Sequence, residues 1–409
     1  MATHRPIDRL TEFCVKGTLL AFLFYIAFRS DSRYPFNTFL FRPDERFGDF
    51  YKNYAQWNLR YGAESLDYVR AETGPSLQPI WDLTSFIFGL IPGKKTALVI
   101  YEICSLVSLV IAFYWSLKKV SPSIKNLLIK VSALICFSYP VIFCLDRGNL
   151  EWLSAVFLMV ALVTDSDKPK ISSIALALSI CVKPWAAFIL PWYLIKRRWA
   201  DFARVTSVCA SLMLVVSLFI RRFYGISPLD RPFATFENYL HYQNTMVDKN
   251  FGLPFGHSLF GLIKYILYRT INEIPDWFTF AYLLFAVGFL GFILYLNLRL
   301  RVSGIDAYYP LIIASCLLPW VSADYKLLNI MACGMLVHGV RPTAASLIQK
   351  INLVFFALLL VPKSFISLGS SSPHIDSSVS ISILVTPVIL MLLIALHYMV
   401  IIEHEKTTL

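Results

Sequence analysis

Charge is what this chain has least of. Charged residues fill 15% of its 409 positions, against about 25% in an ordinary soluble domain, too few to cover a water-facing fold of this length. The same figures exclude disorder, collagen and coiled coil. Also missing is any CxxC or Cys/His spacing that would hold a metal or build a disulfide framework. The eight cysteines (Cys14, Cys104, Cys136, Cys144, Cys181, Cys209, Cys316, Cys333) stand singly in or beside apolar stretches and read as small buried hydrophobes. No small-residue cleavage site follows the apolar stretch 17–28, only Arg29-Ser30-Asp31-Ser32-Arg33. The segment 1–28 therefore reads as a retained first transmembrane helix rather than a removed leader.

What fills the chain is hydrocarbon. Apolar residues make up 57% of it and its mean hydropathy is +0.62, which makes it an all-α polytopic membrane protein. The net charge of +11 then belongs beside anionic lipid headgroups, and nucleic acid is not implied. A crossing needs about 20 apolar residues, and candidates are 12–28, 96–117, 128–145, 150–163, 202–220, 275–298, 306–321, 327–340, 351–366 and 381–402. The run between Lys170 and Arg197 has bases at both ends (Lys168 and Lys170; Lys196, Arg197 and Arg198) with Lys183-Pro184 in its middle. One helix cannot begin and end on the same side, and proline disfavours a continuous helix there. Two half-helices meeting at Lys183 are expected, giving about twelve membrane segments. The loop with Lys118, Lys119, Lys125 and Lys130 holds no acid and places both termini in the cytoplasm.

The chain divides into a first helix (1–28), a long outer loop (29–95), a transmembrane core with the broken pair (96–220), a second outer loop (221–274) and C-terminal crossings (275–409). In the first loop, Phe50, Tyr54, Trp57 and Tyr61 recur at helical spacing and predict a helix at the headgroup level. Asp49, just ahead of them, is either the N-cap of that helix or a catalytic carboxylate. The stretch 79–92 is too short to span and reads as interfacial or re-entrant. The second loop runs through Asp230-Arg231, Tyr239, His241 and Tyr242 to His257-Ser258. It enters an amphipathic segment, 259–268, with Lys264 and Arg269 on its polar side.

Ionisable groups at membrane depth are costly and mark function. Three polar clusters connect crossings: Asp146-Arg147-Gly148-Asn149, Lys183-Pro184-Trp185, and Trp320 to Lys326. The topology puts all three on the outer side with the long loops. Arg147, Lys183 and Lys326 around one cavity suit a phosphate; the alternative is that each snorkels from a helix end.

These residues together resemble the C-type glycosyltransferases, and among them glycosyltransferase family 87. The resemblance runs to about residue 340 and is carried by short motifs. Gly48-Asp49-Phe50-Tyr51 with Tyr54-Ala55 and Tyr61-Gly62 is similar to the family's first outer loop, Asp146-Arg147-Gly148-Asn149-Leu150 to its polar turn, 175–184 with Lys196-Arg197-Arg198-Trp199 to its half-helix pair, and Asp324-Tyr325-Lys326-Leu327 to a late outer turn. The resemblance implies a bundle with interfacial helices on two outer loops, in a bacterial or archaeal inner membrane. It also implies transfer of a single sugar, mannose favoured, from a polyprenyl-phosphate donor to a glycolipid or cell-envelope glycan. Asp49 would be the base, Arg147, Lys183 and Lys326 would bind donor phosphate, and Tyr51, Asn149, His257, Asp324 and Tyr325 would contact substrate. No nucleotide, metal or other cofactor is implied. Two departures leave sugar and acceptor open: Gly74-Pro75-Ser76 stands where Tyr-Pro-Pro is expected, and the late turn lacks a histidine, for which His257 is the candidate substitute. The rival readings are an O-antigen-type polymerase or ligase and a lipid-linked-sugar transporter.

Overall fold

A computed structural model of the chain describes residues 6–28, 47–51, 54, 78–121, 124–224, 243, 247, 253, 256–271, 273–340, 346–363 and 379–408. Among these the chain is helical, and extended pairing is limited to an isolated bridge between Gly256 and Ser322. The helices are α1 (Pro6–Phe28), α2 (Pro79–Gly89), α3 (Lys94–Val120), α4 (Leu127–Phe137), α5 (Tyr139–Arg147), α6 (Glu151–Thr164), α7 (Pro169–Val182) and α8 (Leu190–Ile195). They continue with α9 (Trp199–Tyr224), α10 (Leu259–Ile271), α11 (Asp276–Arg299), α12 (Gly304–Leu317), α13 (Leu327–Val340), α14 (Leu347–Leu359) and α15 (Ser382–Thr408).

Four described helices, α3, α9, α11 and α15, have the length and apolarity of a membrane crossing. A fifth is gained if the bent pair α4–α5 counts as one. Several others are short: α6, α7 and α12 have 14 residues each, about 21 Å at 1.5 Å per residue, against a hydrocarbon core of about 30 Å. They lie inside the bundle, where α6 packs along α7, α3 and α13.

Two breaks arise at prolines. Lys183 is extended (φ −149°, ψ 129°) between α7 and a 3₁₀ turn, Pro184–Ile189, that leads into α8, so the helix is interrupted at Lys183. The run 128–145, expected as one crossing, is instead two helices bent by 59°. Extended Ser138 precedes Tyr139-Pro140, and a proline there cannot continue the α4 ladder.

The polar ends of the helices sort to two faces. Lys130 pairs with Asp8 (2.5 Å) and Lys119 with Asp167 (2.7 Å). Arg198 makes a two-pronged contact with Asp165 (2.8 and 3.0 Å) and also binds Asp201 (2.9 Å) and the Tyr308 hydroxyl (2.9 Å). These contacts gather the starts of α1, α4, α7, α9 and α12 with the ends of α3 and α6. The opposite ends, of α5, α7 and α12 and the starts of α6 and α13, carry the three polar clusters of the sequence.

Candidate functional site

The site begins with a glycine. Helix α5 ends at Arg147, and Gly148 turns the chain through a left-handed conformation (φ +63°) that lets its N–H and that of Asn149 return to Leu145 O (2.8 Å) and Cys144 O (3.0 Å). A β-carbon on Gly148 would stand 2.5 Å from Phe50 Cβ, so the helical turn at 48–51 lies directly across this loop. It is fastened there by Phe47 N–H donating to Asp146 O (2.6 Å) and by Phe50, whose ring is buried 5.0 Å from Tyr101 and 6.2 Å from Phe88. Phe50 thus faces the protein interior rather than the headgroup level. Trp57, Tyr61, Asp230, Arg231, Tyr239, His241 and Tyr242 lie outside the described residues.

This docking holds the Asp49 carboxylate between two side chains of the glycine loop. Asn149 Nδ2 donates to Oδ2 (2.8 Å) and Arg147 Nη2 to Oδ1 (3.2 Å). Asn149 is fixed in turn, because its Oδ1 accepts the N–H of Glu151 (3.0 Å), which orients the amide so that nitrogen faces the carboxylate. Asp49 keeps a quarter of its side chain exposed. Tyr51 packs edge-on to Phe50 and Phe47 beneath Lys94.

The two lysines come next. Lys183 Nζ stands 4.4 Å from the centre of the Trp81 ring and 6.0 Å from that of Tyr325. Lys326 Nζ stands 3.4 Å from the centre of the Trp185 ring and donates to Val321 O (2.6 Å). Among the described residues no carboxylate lies within ion-pair reach of either ammonium. Burial, reinforced by the Lys183 charge, brings Lys326 down to about 7 against the opposing influence of Cys316 and Glu151. Glu151, at the start of α6, is fully buried and receives a hydrogen bond from Asn329.

The late turn is laid along one face of α5, whose residues at i and i+4 meet it in order, while the residue at i+8 meets Asp49. Tyr139 OH donates to Asp324 Oδ2 (2.8 Å), Phe143 stacks on Tyr325 (6.0 Å between centroids), and Arg147 holds Asp49. His257 reaches the same turn: its N–H donates to Ser322 O (3.0 Å) and its Nδ1 lies 2.6 Å from Asp324 Oδ1. Burial alone would raise the Asp324 carboxyl, but His257, Lys363 and the Tyr139 hydroxyl outweigh it and hold the group well below its ordinary range. His257 therefore occupies the late turn in space although it lies 67 residues away in sequence.

The profile of glycosyltransferase family 87 matches residues 78–322, more than half of the chain. The chain belongs to glycosyltransferase family 87. Among curated proteins and among solved structures none matches it. The matched span takes in Arg147, Asn149, Lys183 and His257; Asp49 and the 324–326 turn lie outside it. Membership makes the protein a glycosyltransferase, and its long apolar helices make it a membrane protein.

In this family 87 chain Asp49 meets Arg147 and Asn149, Lys183 lies beside Tyr325, and His257 meets Asp324; Arg147, expected on phosphate, is paired with Asp49. Lys264, expected on the polar side of its helix, is buried and donates to Val247 O (2.6 Å). Glu151, Trp81 and Tyr139 were not singled out by sequence, and Trp185 only as part of the Lys183-Pro184-Trp185 cluster. Glu151 alone left a signal there, an acid directly after a polar turn and before an apolar run. A cavity of about 480 Å³ beside Trp320, Pro275, Asp276 and Phe280 opens at the start of α11 and does not include the lysines.

Proposed function

We propose that this glycosyltransferase moves a single sugar, mannose favoured, from a polyprenyl-phosphate donor to a lipid-linked or cell-envelope glycan acceptor at the outer face of an inner membrane, with inversion. Asp49 takes the proton of an acceptor hydroxyl as that oxygen bonds to the anomeric carbon. The bond from that carbon to the phosphate oxygen breaks, and its electron pair leaves with the phosphate. Lys183 and Lys326 hold that phosphate as point charges and stabilise the charge that develops on it. Arg147 serves at the junction, steadying Asp49 on one side and facing the donor on the other. General-base help of this kind is worth about 10²–10⁴-fold.

The observation that carries the reading is a partly exposed carboxylate fixed by Asn149 and Arg147, together with two lysines that among the described residues lean on aromatic rings instead of carboxylates. Lys326 is buried, a buried cation without a counter-ion is costly, and an anionic ligand removes that cost. The amphipathic helix α10 and the loop ahead of it would keep prenyl tail and acceptor near the interface, supplying proximity. Labelled polyprenyl-phosphate mannose, glucose and arabinose, offered to the protein in nanodiscs with a panel of glycolipid acceptors, test this. Turnover of one monophosphate donor is expected. Turnover only of diphosphate-linked oligosaccharide would replace this reading with that of a polymerase or ligase.

A further inference from the structure

The cavity at the start of α11 takes no part in the reaction described above. One face of the helix forms its wall: Asp276, Thr279, Phe280 and Leu283 follow one another at helical spacing, and Trp320 and Gln243 complete it from the late turn and the second loop. The opposite face holds the helix in place. There Phe278 stacks on Phe260 (5.0 Å between centroids) and Tyr282 OH donates to Leu318 O (3.0 Å), so the cavity wall is left turned outward. Farther along that wall Val287 is 63% exposed, and open space stands where a side chain at Gly291 would be. In a crossing helix this face meets lipid, and the cavity therefore opens onto the bilayer. Its volume, about 480 Å³, is that of a small-molecule site. Its polar groups are a carboxylate, an amide and a hydroxyl beside two aromatic rings, and among the described residues no lysine or arginine lines it. Such a set exchanges hydrogen bonds with a polyol and covers the apolar face of a sugar ring. A phosphate would meet the repulsion of Asp276 instead. The cavity also adjoins the donor side, because Trp320 precedes Val321, whose carbonyl receives Lys326 Nζ (2.6 Å).

We propose that this cavity binds the neutral sugar headgroup of a lipid-linked acceptor, with Asp276 and Gln243 on its hydroxyls, Trp320 against its ring and its lipid lying along α11. This rests on the reading of the protein as a transferase that takes a lipid-linked acceptor. The 320–326 turn then separates the two substrates, Trp320 meeting the acceptor and Lys326 the donor phosphate. The cavity residues bind and orient; none of them makes or breaks a bond.

The test uses the full chain in nanodiscs and octyl probes with a diazirine on the chain, headed by mannose or by glucose, with crosslinks mapped by mass spectrometry. Saturable labelling of the 276–291 stretch is expected, displaced by excess unlabelled octyl glycoside and not by octyl phosphate. Asp276→Asn is expected to weaken it about fivefold, the step from a hydrogen bond with a charged group to one between neutral groups. Trp320→Leu, which keeps an apolar wall without a ring, is expected to weaken it about threefold or more. In the transfer assay Asp276→Asn is expected to raise acceptor KM and leave donor KM unchanged. Displacement by octyl phosphate as readily as by the glycoside overturns the proposal, as does the absence of saturable labelling by either sugar; both are read on the wild type and need no variant. Labelling unchanged in both variants overturns it too, and a rise in donor KM in place of acceptor KM overturns the assignment to the acceptor. Saturable sugar labelling in a protein that turns over no lipid-linked donor overturns the transfer reading and the acceptor role with it, and leaves the sugar site standing.

Discussion

Replacing Gly148 by alanine tests the junction on which the site depends. The change adds one methyl group at φ +63°, 2.5 Å from Phe50 Cβ and 3.1 Å from Phe50 N. A left-handed alanine costs about 1–2 kcal/mol, and overpacking a tight contact costs about 1–3 kcal/mol more, so roughly 2–5 kcal/mol of stability is at stake. The larger consequence is positional. Carbon atoms pack at about 3.5–4.0 Å, so the 48–51 turn must retreat by about 1 Å or more, and Asp49 with it. A displacement of that size lowers a positioned reaction by about 10²-fold. The assay is sugar transfer in nanodiscs beside thermal unfolding in detergent. Gly148→Ala is expected to lower the unfolding midpoint and to reduce kcat far more than it raises donor KM. Wild-type kcat with an unchanged midpoint would refute the reasoning, since it would mean that the turn and the loop do not touch.

Other outcomes follow from the same geometry. Lys326, brought by burial to about 7, loses its charge in the free site as pH rises through that value, so donor KM should climb between about pH 7 and 9; in Lys326→Met it should be high and flat across that window. Arg198→Lys, which cannot reproduce the fork on Asp165 or the added bonds to Asp201 and Tyr308, should destabilise by about 1–3 kcal/mol, seen in the unfolding midpoint with little change in donor KM. Asp324→Asn leaves His257 and Lys363 without their shared carboxylate; a loss of about 10-fold or more in kcat/KM is expected from the displaced turn, whereas a variant with full activity would remove that turn from the site.

The crossings α3, α9, α11 and α15 were legible because hydropathy reports them directly, and the break at Lys183-Pro184 was legible because a proline stands within a run that has bases at both ends. Pro140 carried the same backbone signal, but no charge demanded a reversal there, and the bend between α4 and α5 passed as one crossing. Helical spacing could not say what Phe50 meets; it meets Tyr101 and Phe88, not lipid headgroups. For Lys264 the error has the same origin, since an amphipathic pattern cannot foresee the Val247 carbonyl that receives the ammonium. The joining of Asp49 to Asn149, and of His257 to Asp324, crosses 100 and 67 residues, and no local pattern encodes such a contact. Glu151 went unread because an acid in the first turn of a helix is ordinarily explained by the helix dipole.

The central claim is that Asp49 is the base of a sugar transfer. It is tested most directly by Asp49→Asn in nanodiscs, with the monophosphate donor and acceptor that the wild type turns over. Asparagine retains the size of the side chain and can still face Asn149 and Arg147, but it takes up no proton. The account expects kcat to fall by about 10²–10⁴-fold with donor binding retained. Turnover equal to wild type would contradict it and remove Asp49 from the chemistry.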